Sequence, residues 1–196
     1  MRDRKRKSRK FTKFLFLLFV AGVCWIAYQW RHSLLDLWAK SSENAYDKAI
    51  YAAARKHNVD PLFIKAVIYR ETRFQPNTRG GAGEVGLMQI IPNKAVADWA
   101  IAHDVKVPCD GVLFKPQVNI DIGTWYLKQG LKRWRRYKYY RELALCQYNA
   151  GGSWAKKWAP PQTDDAVIDR ITINSTKQYV KNIIKKYNNY RARLKK

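Results

Sequence analysis

The sequence predicts a mainly helical domain preceded by one N-terminal transmembrane helix. Three observations carry that expectation. A basic arm runs straight into an uncharged apolar stretch, apolar residues recur at helical spacing between Gly, Pro and Asn breaks, and strand signals are few. The chain has 196 residues, 47% of them hydrophobic and 14% aromatic. That is enough for one domain with its own core and too apolar for intrinsic disorder. Lys and Arg number 38 against 15 Asp and Glu, a formal net charge of +23. Cys24, Cys109 and Cys146 form no CxxC pair and have no His at zinc spacing, so neither a metal site nor a cofactor is expected.

Residues 1–13 form a basic arm with 8 Lys or Arg and one acid. Phe14 to Tyr28 follows without a charge, closed by Gln29, Trp30 and Arg31. A bilayer-crossing helix needs roughly 20 apolar residues, with a lower limit of about 17, and Trp30 as an interfacial aromatic brings residues 14–30 into range. The positive flank then stays cytoplasmic and the remainder is exported, on the periplasmic or other extracytoplasmic side. A cleaved signal peptide fits the length but lacks a small-x-small site, and a lipoprotein signal would want a small residue where Val23 precedes Cys24. All three readings export the working domain.

Residues 31–44 read as a juxtamembrane linker with a short helix, Leu34, Leu35, Leu37 and Trp38 on one side. The exported domain spans 45–196. Ser42 is expected to cap a helix running through Ile50 and Ala54 to His57. Asp60 and Pro61 form a helix start, cap and first position, and Leu62 to Thr72 is apolar on nearly every face. Residues 75–85 form a Gly-rich loop, with at most a short strand pair near 75–90. A helix follows from Pro92 to Ala102, then an irregular stretch from His103 to Lys115. Pro116 opens a long helix through Leu127. Another, Arg141 to Asn149, stops at Ala150-Gly151-Gly152. A loop around Pro160-Pro161 leads to a last helix from about Ser175 toward Leu194.

Glu71 stands out because it ends an apolar helix and Phe74 follows it closely. Apolar surroundings disfavour the charged carboxylate and raise its pKa, which suits a general acid near neutral pH. Glycosidic cleavage uses such an acid to protonate the departing oxygen. The plainer alternative is a solvated Glu paired with Arg70 or Arg73.

Glu71-Thr72-Arg73-Phe74 leads into the loop and then into Gly86-Leu87-Met88-Gln89-Ile90-Ile91-Pro92. Leu113-Phe114-Lys115-Pro116-Gln117-Val118-Asn119-Ile120 and Leu145-Cys146-Gln147-Tyr148-Asn149-Ala150-Gly151-Gly152 come next, and Thr176-Lys177-Gln178-Tyr179-Val180 last. In this order and spacing the motifs resemble the soluble lytic transglycosylase family, whose catalytic domain is related to goose-type lysozyme. The resemblance runs from about Ala45 to Tyr190. It implies a lysozyme-like helical domain with a groove for peptidoglycan glycan strands. Cleavage would fall on the β-1,4 bond from N-acetylmuramic acid to N-acetylglucosamine, leaving a 1,6-anhydro end instead of adding water. Glu71 resembles the single acid that protonates the leaving oxygen and then deprotonates the muramyl 6-hydroxyl. Thr72 stands where the family usually has Ser and keeps a hydroxyl for the substrate side. Met88 and Gln89 resemble groove-lining contacts at the N-acetyl sugars, and Tyr148 and Asn149 a pair beside the acid. Tyr179 resembles a late tyrosine reaching the same carboxyl. Asn149 also suits a helix end before Gly151.

The sequence departs from the family at Gly80, where a Ser is common, and near Ser175, where a Glu often precedes the late Tyr-Val. Glu84 has no family role. Facing the groove at roughly 6.5–9.5 Å from Glu71 it would serve as base for a water and make the enzyme an inverting hydrolase. Its plainer reading is a surface pair with Arg79. A catalytically silent glycan-binding protein of wall assembly is the other class to be tested. Cys109 and Cys146 both lie in the exported part, and spacing leaves a bridge between them open. His32, His57 and His103 read as surface or cap residues. Lys132 to Arg141 interleaves basic and aromatic residues, read as a solvated helix face with aromatics turned inward. Its partners would be anionic lipid or acidic wall polymer and not nucleic acid, which an exported protein seldom meets.

Overall fold

The computed structural model describes the backbone of residues 2–194 and the side chains of residues 15–31, 33–34, 37 and 42–194. Leu35, Trp38, His32 and the side chains of the basic arm lie outside the described residues. The chain divides into two units, Met1–Ser41 and Ser42–Lys196.

Helix α1, Arg2–Ser42, makes up the first unit and ends on the first residue of the second, Ser42. No separate linker helix forms: residues 31–42 continue the same helix. Ser42 ends this helix instead of capping the next one, and its carbonyl accepts the Ala45 N–H. The physical reason is that residues 31–42 contain no Gly or Pro to interrupt the i→i−4 ladder. Leu15, Phe16, Leu17, Leu18 and Phe19 are all exposed on this unit, as are Trp25, Ile26 and Trp30. Among the described residues, no helix is long and apolar enough to cross a membrane.

The second unit is built from helices. α2 (Asp47–His57) ends on Asn58 in the left-handed conformation, φ 52°. α3 (Pro61–Thr72) starts as its sequence dictates, with Asp60 Oδ1 accepting the Leu62 N–H at 2.9 Å and Pro61 at the first position. Phe63, Ile64, Ala66, Val67 and Ile68 are almost fully buried, so α3 runs through the core. The segment expected as one helix, Pro92 to Ala102, opens with a π-helical turn (Pro92–Val96) before α4 (Ala97–Ala102). A short α5 (Asp110–Leu113) interrupts the stretch read as irregular. α6 (Pro116–Arg133), α7 (Tyr140–Ala150) and α9 (Asn174–Arg193) occupy the expected places. An unforeseen α8 (Gly152–Trp158) starts directly after Gly151, φ 90°, and the 160–173 loop contains one 3₁₀ turn, Ile168–Arg170. The sequence at Gly151-Gly152 predicts a stop. It is instead a corner, because glycine's positive φ lets the chain turn and re-enter a helix at once.

α3 packs against α9 and α2, α6 against α7 and α2, and α7 against α8 and α9. Two polar clusters tie these pairs. His57 Nε2 meets Asp121 Oδ1 at 2.7 Å while Lys56 takes the other oxygen at 2.6 Å, joining α2 to α6. His57 is therefore a part-buried partner of Asp121 at the C-terminal end of α2, where a cap residue is expected. Its ring lies inward because α2 buries that face on α6, and Asp121 satisfies the nitrogen. His103 stacks on Trp99 at 4.8 Å. Lys65, also buried, reaches Asp47 at 2.7 Å and Asn44 at 2.8 Å.

Strand structure is limited to isolated bridges, Arg79 with Val85 and Val85 with Ile90, among the described residues. Cys109 is exposed and Cys146 buried, and both are free thiols. Residues 134–139 form turns instead of a helix face, with Trp134 buried and donating to Gln147 Oε1 at 2.9 Å.

Candidate active site

The site begins where α3 runs out. Glu71 is the penultimate residue of α3, and both Arg73 (φ 49°) and Phe74 (φ 65°) are left-handed. Neither is glycine, so this corner stores backbone strain, a feature that concentrates at functional sites. Phe74 is fully buried, and its burial holds the turn in place. The chain is thereby reversed around the Glu71 carboxyl.

Glu71 Oε1 accepts the Tyr179 hydroxyl of α9 at 2.6 Å. Arg70 lies over the Tyr179 ring at 5.3 Å. Burial pushes the Glu71 carboxyl up from 4.5 to about 7. The Tyr179 hydrogen bond and the Arg70 charge pull it back down, and the nearby Glu84 carboxylate adds to the rise. Desolvation dominates because a carboxylate inside an apolar wall loses more hydration than one hydroxyl restores. Tyr179 is itself 2% exposed, and burial together with the Glu71 charge holds its hydroxyl well above the usual tyrosine range. It therefore stays a proton-bearing donor at all physiological pH.

The Gly86–Gln89 segment is fixed from behind. Thr72 Oγ1 donates to the Leu87 carbonyl at 3.0 Å, which ties the end of α3 to this segment. Asn119, fully buried on α6, accepts the Met88 N–H at 2.8 Å and donates to the Val85 and Leu113 carbonyls, both at 2.9 Å. Gly86 (φ 71°) is required there, since a Cβ would run into the Asn119 amide. Asn119 was not singled out from the sequence. A lone Asn inside a helix otherwise patterned for burial was the signal, because a buried amide must find several partners.

Met88 and Thr72 sit differently from a groove-lining pair. The Met88 side chain is fully buried, packed where Gly123 leaves room for it, and Thr72 is 7% exposed with its hydroxyl turned to the backbone. The core encloses the Met88 thioether, and the Leu87 carbonyl accepts the Thr72 hydroxyl. Gln89 (φ 46°) donates from Nε2 to the Thr78 and Gly86 carbonyls. Tyr148 donates to the Met88 carbonyl at 2.8 Å, and Asn149 Oδ1 accepts from Thr176 at 2.8 Å. Gln89, Tyr148 and Asn149 line one cavity of about 140 Å³ with Lys94, Tyr126 and Gln147. Glu71, Met88 and Tyr179 are not on its wall, although Tyr148 is close enough for the Glu71 charge to raise its hydroxyl.

Glu84 does not pair with Arg79. Arg79 reaches Asp110 at 2.7 Å, and Glu84 Oε2 accepts the Ala82 N–H at 2.9 Å, closing its own loop. Gly80 lies against the Glu84 carboxylate and the Gln89 amide, whose ends would have to move to admit a Cβ there.

The domain as a whole resembles known proteins. The family model for the transglycosylase SLT domain matches residues 48–167. The chain belongs to that family. The soluble lytic murein transglycosylase of Salmonella typhimurium is 28% identical over 144 residues, 71% of this chain and 22% of the relative. Membrane-bound lytic murein transglycosylase E of Buchnera aphidicola is 34% identical over 89 residues, 45% of this chain and 40% of the relative. An inactive Glu-to-Gln mutant of lytic transglycosylase Slt from Pseudomonas aeruginosa shares the fold with a TM-score of 0.69 and 26% identity, over 78% of this chain and 25% of that one. The chain thus spans about a quarter of the length of the soluble relatives it matches. What it has is the SLT domain, and in it the turn after α3, the Asn119-braced segment and the end of α7 converge on Glu71 and the cavity beside it.

Proposed function

We propose that this protein is a lytic transglycosylase that cleaves the N-acetylmuramyl–N-acetylglucosamine β-1,4 bond of peptidoglycan. The observation carrying the reading is Glu71: a carboxyl raised to about 7 by burial, hydrogen-bonded by Tyr179, near the cavity lined by Gln89, Tyr148 and Asn149. Near neutral pH a large fraction of such a group is protonated, so it can donate to the glycosidic oxygen. As the bond breaks, charge develops on the sugar, and the substrate's own acetamido group stabilises it without a second protein nucleophile. The Glu71 carboxylate, now stabilised by the Tyr179 hydroxyl, then takes the proton of the muramyl 6-hydroxyl. That oxygen closes on C1 and leaves the 1,6-anhydro end. Gln89, Tyr148 and Asn149 are the residues proposed to meet the N-acetyl sugars directly. Thr72, Met88 and Tyr179 act from behind, holding the wall and the acid.

The second reading is hydrolysis of the same bond by water. Glu84 carries it, because its charge is felt at Glu71. Its carboxylate is engaged by the Ala82 N–H, which favours a loop-closing role over activation of water. Digestion of peptidoglycan by the full chain in detergent, with the products weighed by mass spectrometry, separates the alternatives. Anhydro products lighter by one water support the transglycosylase. Hydrated ends make it a lysozyme-type hydrolase, and intact strands that still bind make it a glycan-binding protein.

The exposed apolar side chains between Leu15 and Trp30, behind the basic arm, support a single-pass anchor in the cytoplasmic membrane with the SLT domain exported. Protease accessibility of the domain in intact spheroplasts, with alkaline carbonate extraction of membranes, tests it. A domain shielded from protease, or a chain released by carbonate, would refute the anchor.

A further inference from the structure

The cavity beside Tyr148 offers hydrogen-bond donors from two of its amides, while a third, Gln89, has its Nε2 engaged and keeps an acceptor. Its Gln147 Oε1 already accepts from Trp134, and its Asn149 Oδ1 from Thr176, leaving the amide N–H groups of both. Lys94 adds a cation to the same wall, and no Asp or Glu lines it. Lys94 belongs to the π-helical turn Pro92–Val96, whose Ala95 and Val96 are buried and anchor it, while Lys94 remains exposed. Single π turns within helices are frequent at functional sites. Asp98 is one helical turn further on, yet no ion pair joins it to Lys94 among the described residues. The charge is therefore unspent and faces the space where an acceptor-rich ligand would sit.

We propose that Lys94 binds a carboxylate of the glycan strand and makes this cavity selective for anionic over neutral saccharide. The inference rests on the glycan-cleaving reading above and names its substrate class more narrowly. Muramyl residues offer that chemistry in two forms. Where the stem peptide has been removed, the lactyl group ends in a free carboxylate; where the stem remains, that carboxyl is an amide and the peptide supplies its own carboxylates. In the first form the reaction that must supply the substrate is hydrolysis of the lactyl–peptide amide.

The test uses the full chain in neutral detergent, made inert by Glu71→Gln, with and without Lys94→Gln or Lys94→Arg. Calorimetry compares the neutral N-acetylglucosamine hexamer, stripped glycan strands, peptide-bearing strands, and peptide-bearing strands whose carboxylates have been amidated. An exposed ion pair of about 1 kcal/mol corresponds to roughly a fivefold change in affinity. Lys94→Gln is expected to lower the affinity for a carboxylate-bearing strand relative to the hexamer by about that factor. Lys94→Arg keeps the ratio, amidation abolishes it, and added salt compresses it. Loss confined to stripped strands assigns the lactyl carboxylate; loss confined to peptide-bearing strands assigns the stem. An equal change for every ligand, or none, overturns the inference while leaving glycan cleavage standing. Failure of every glycan to bind the chain that carries Lys94 removes both.

Discussion

The Tyr179 hydroxyl donates to Glu71 Oε1 across 2.6 Å, from a helix 108 residues further along the chain. The bond favours the ionised form of the carboxyl. It stabilises the carboxylate left after proton donation, and it holds the pKa below what burial alone would give.

Activity should follow protonation of Glu71. Its carboxyl titrates at about 7, so kcat/KM is expected to fall about tenfold per pH unit once pH is well above that value. A pH–rate profile on glycan strands checks this; a flat profile from pH 6 to 9 would exclude Glu71 as the acid.

Tyr179→Phe removes the donor without changing the shape of the ring. The alkaline limb of the same profile should move to higher pH, because one downward influence on Glu71 is gone. The maximal rate should drop about tenfold or more, since the carboxylate product of proton donation loses a charge-assisted hydrogen bond.

Glu71→Gln is expected to abolish turnover and alter stability in a pH-dependent way. The folded-state value lies above the ordinary 4.5, so the contribution from the protonated carboxyl is fully present below about pH 4.5. It is lost as pH rises through about 7, by up to about 3 kcal/mol for a shift of this size. Gln carries no such dependence. Thermal unfolding of the variant should come later than that of the natural protein at pH 8 and near the same temperature at pH 4.5.

Asn119→Leu should be severely destabilising, by about 3–5 kcal/mol, because the Met88 N–H and the Val85 and Leu113 carbonyls lose their partner inside the core. Denaturant unfolding reads the loss. Gly86→Ala is expected to act in the same direction, through collision with Asn119 and strain at φ 71°.

The helices were legible one by one. Asp60-Pro61 and Pro116 specify their helix starts locally, and the apolar run Leu62–Thr72 announces burial. Local sequence does not settle positions where a tertiary partner decides. His57 has the same neighbours in sequence whether it faces solvent or Asp121, and Met88 reads as a groove residue until Gly123 is seen to make room for it.

By itself the sequence determined a helical domain, the residue types gathered around Glu71, and the basic arm with its apolar run. Those are properties of spacing and composition, which act over a few residues. Only the tertiary structure decided that Tyr179 would meet Glu71, that Asn119 would brace the segment before Gln89, and that Thr72 and Met88 would turn inward. The physical reason is that a pKa of about 7 and the cavity lined by Gln89, Tyr148 and Asn149 arise from desolvation and from partners far apart in the chain, which come together only when α3, α6, α7 and α9 pack.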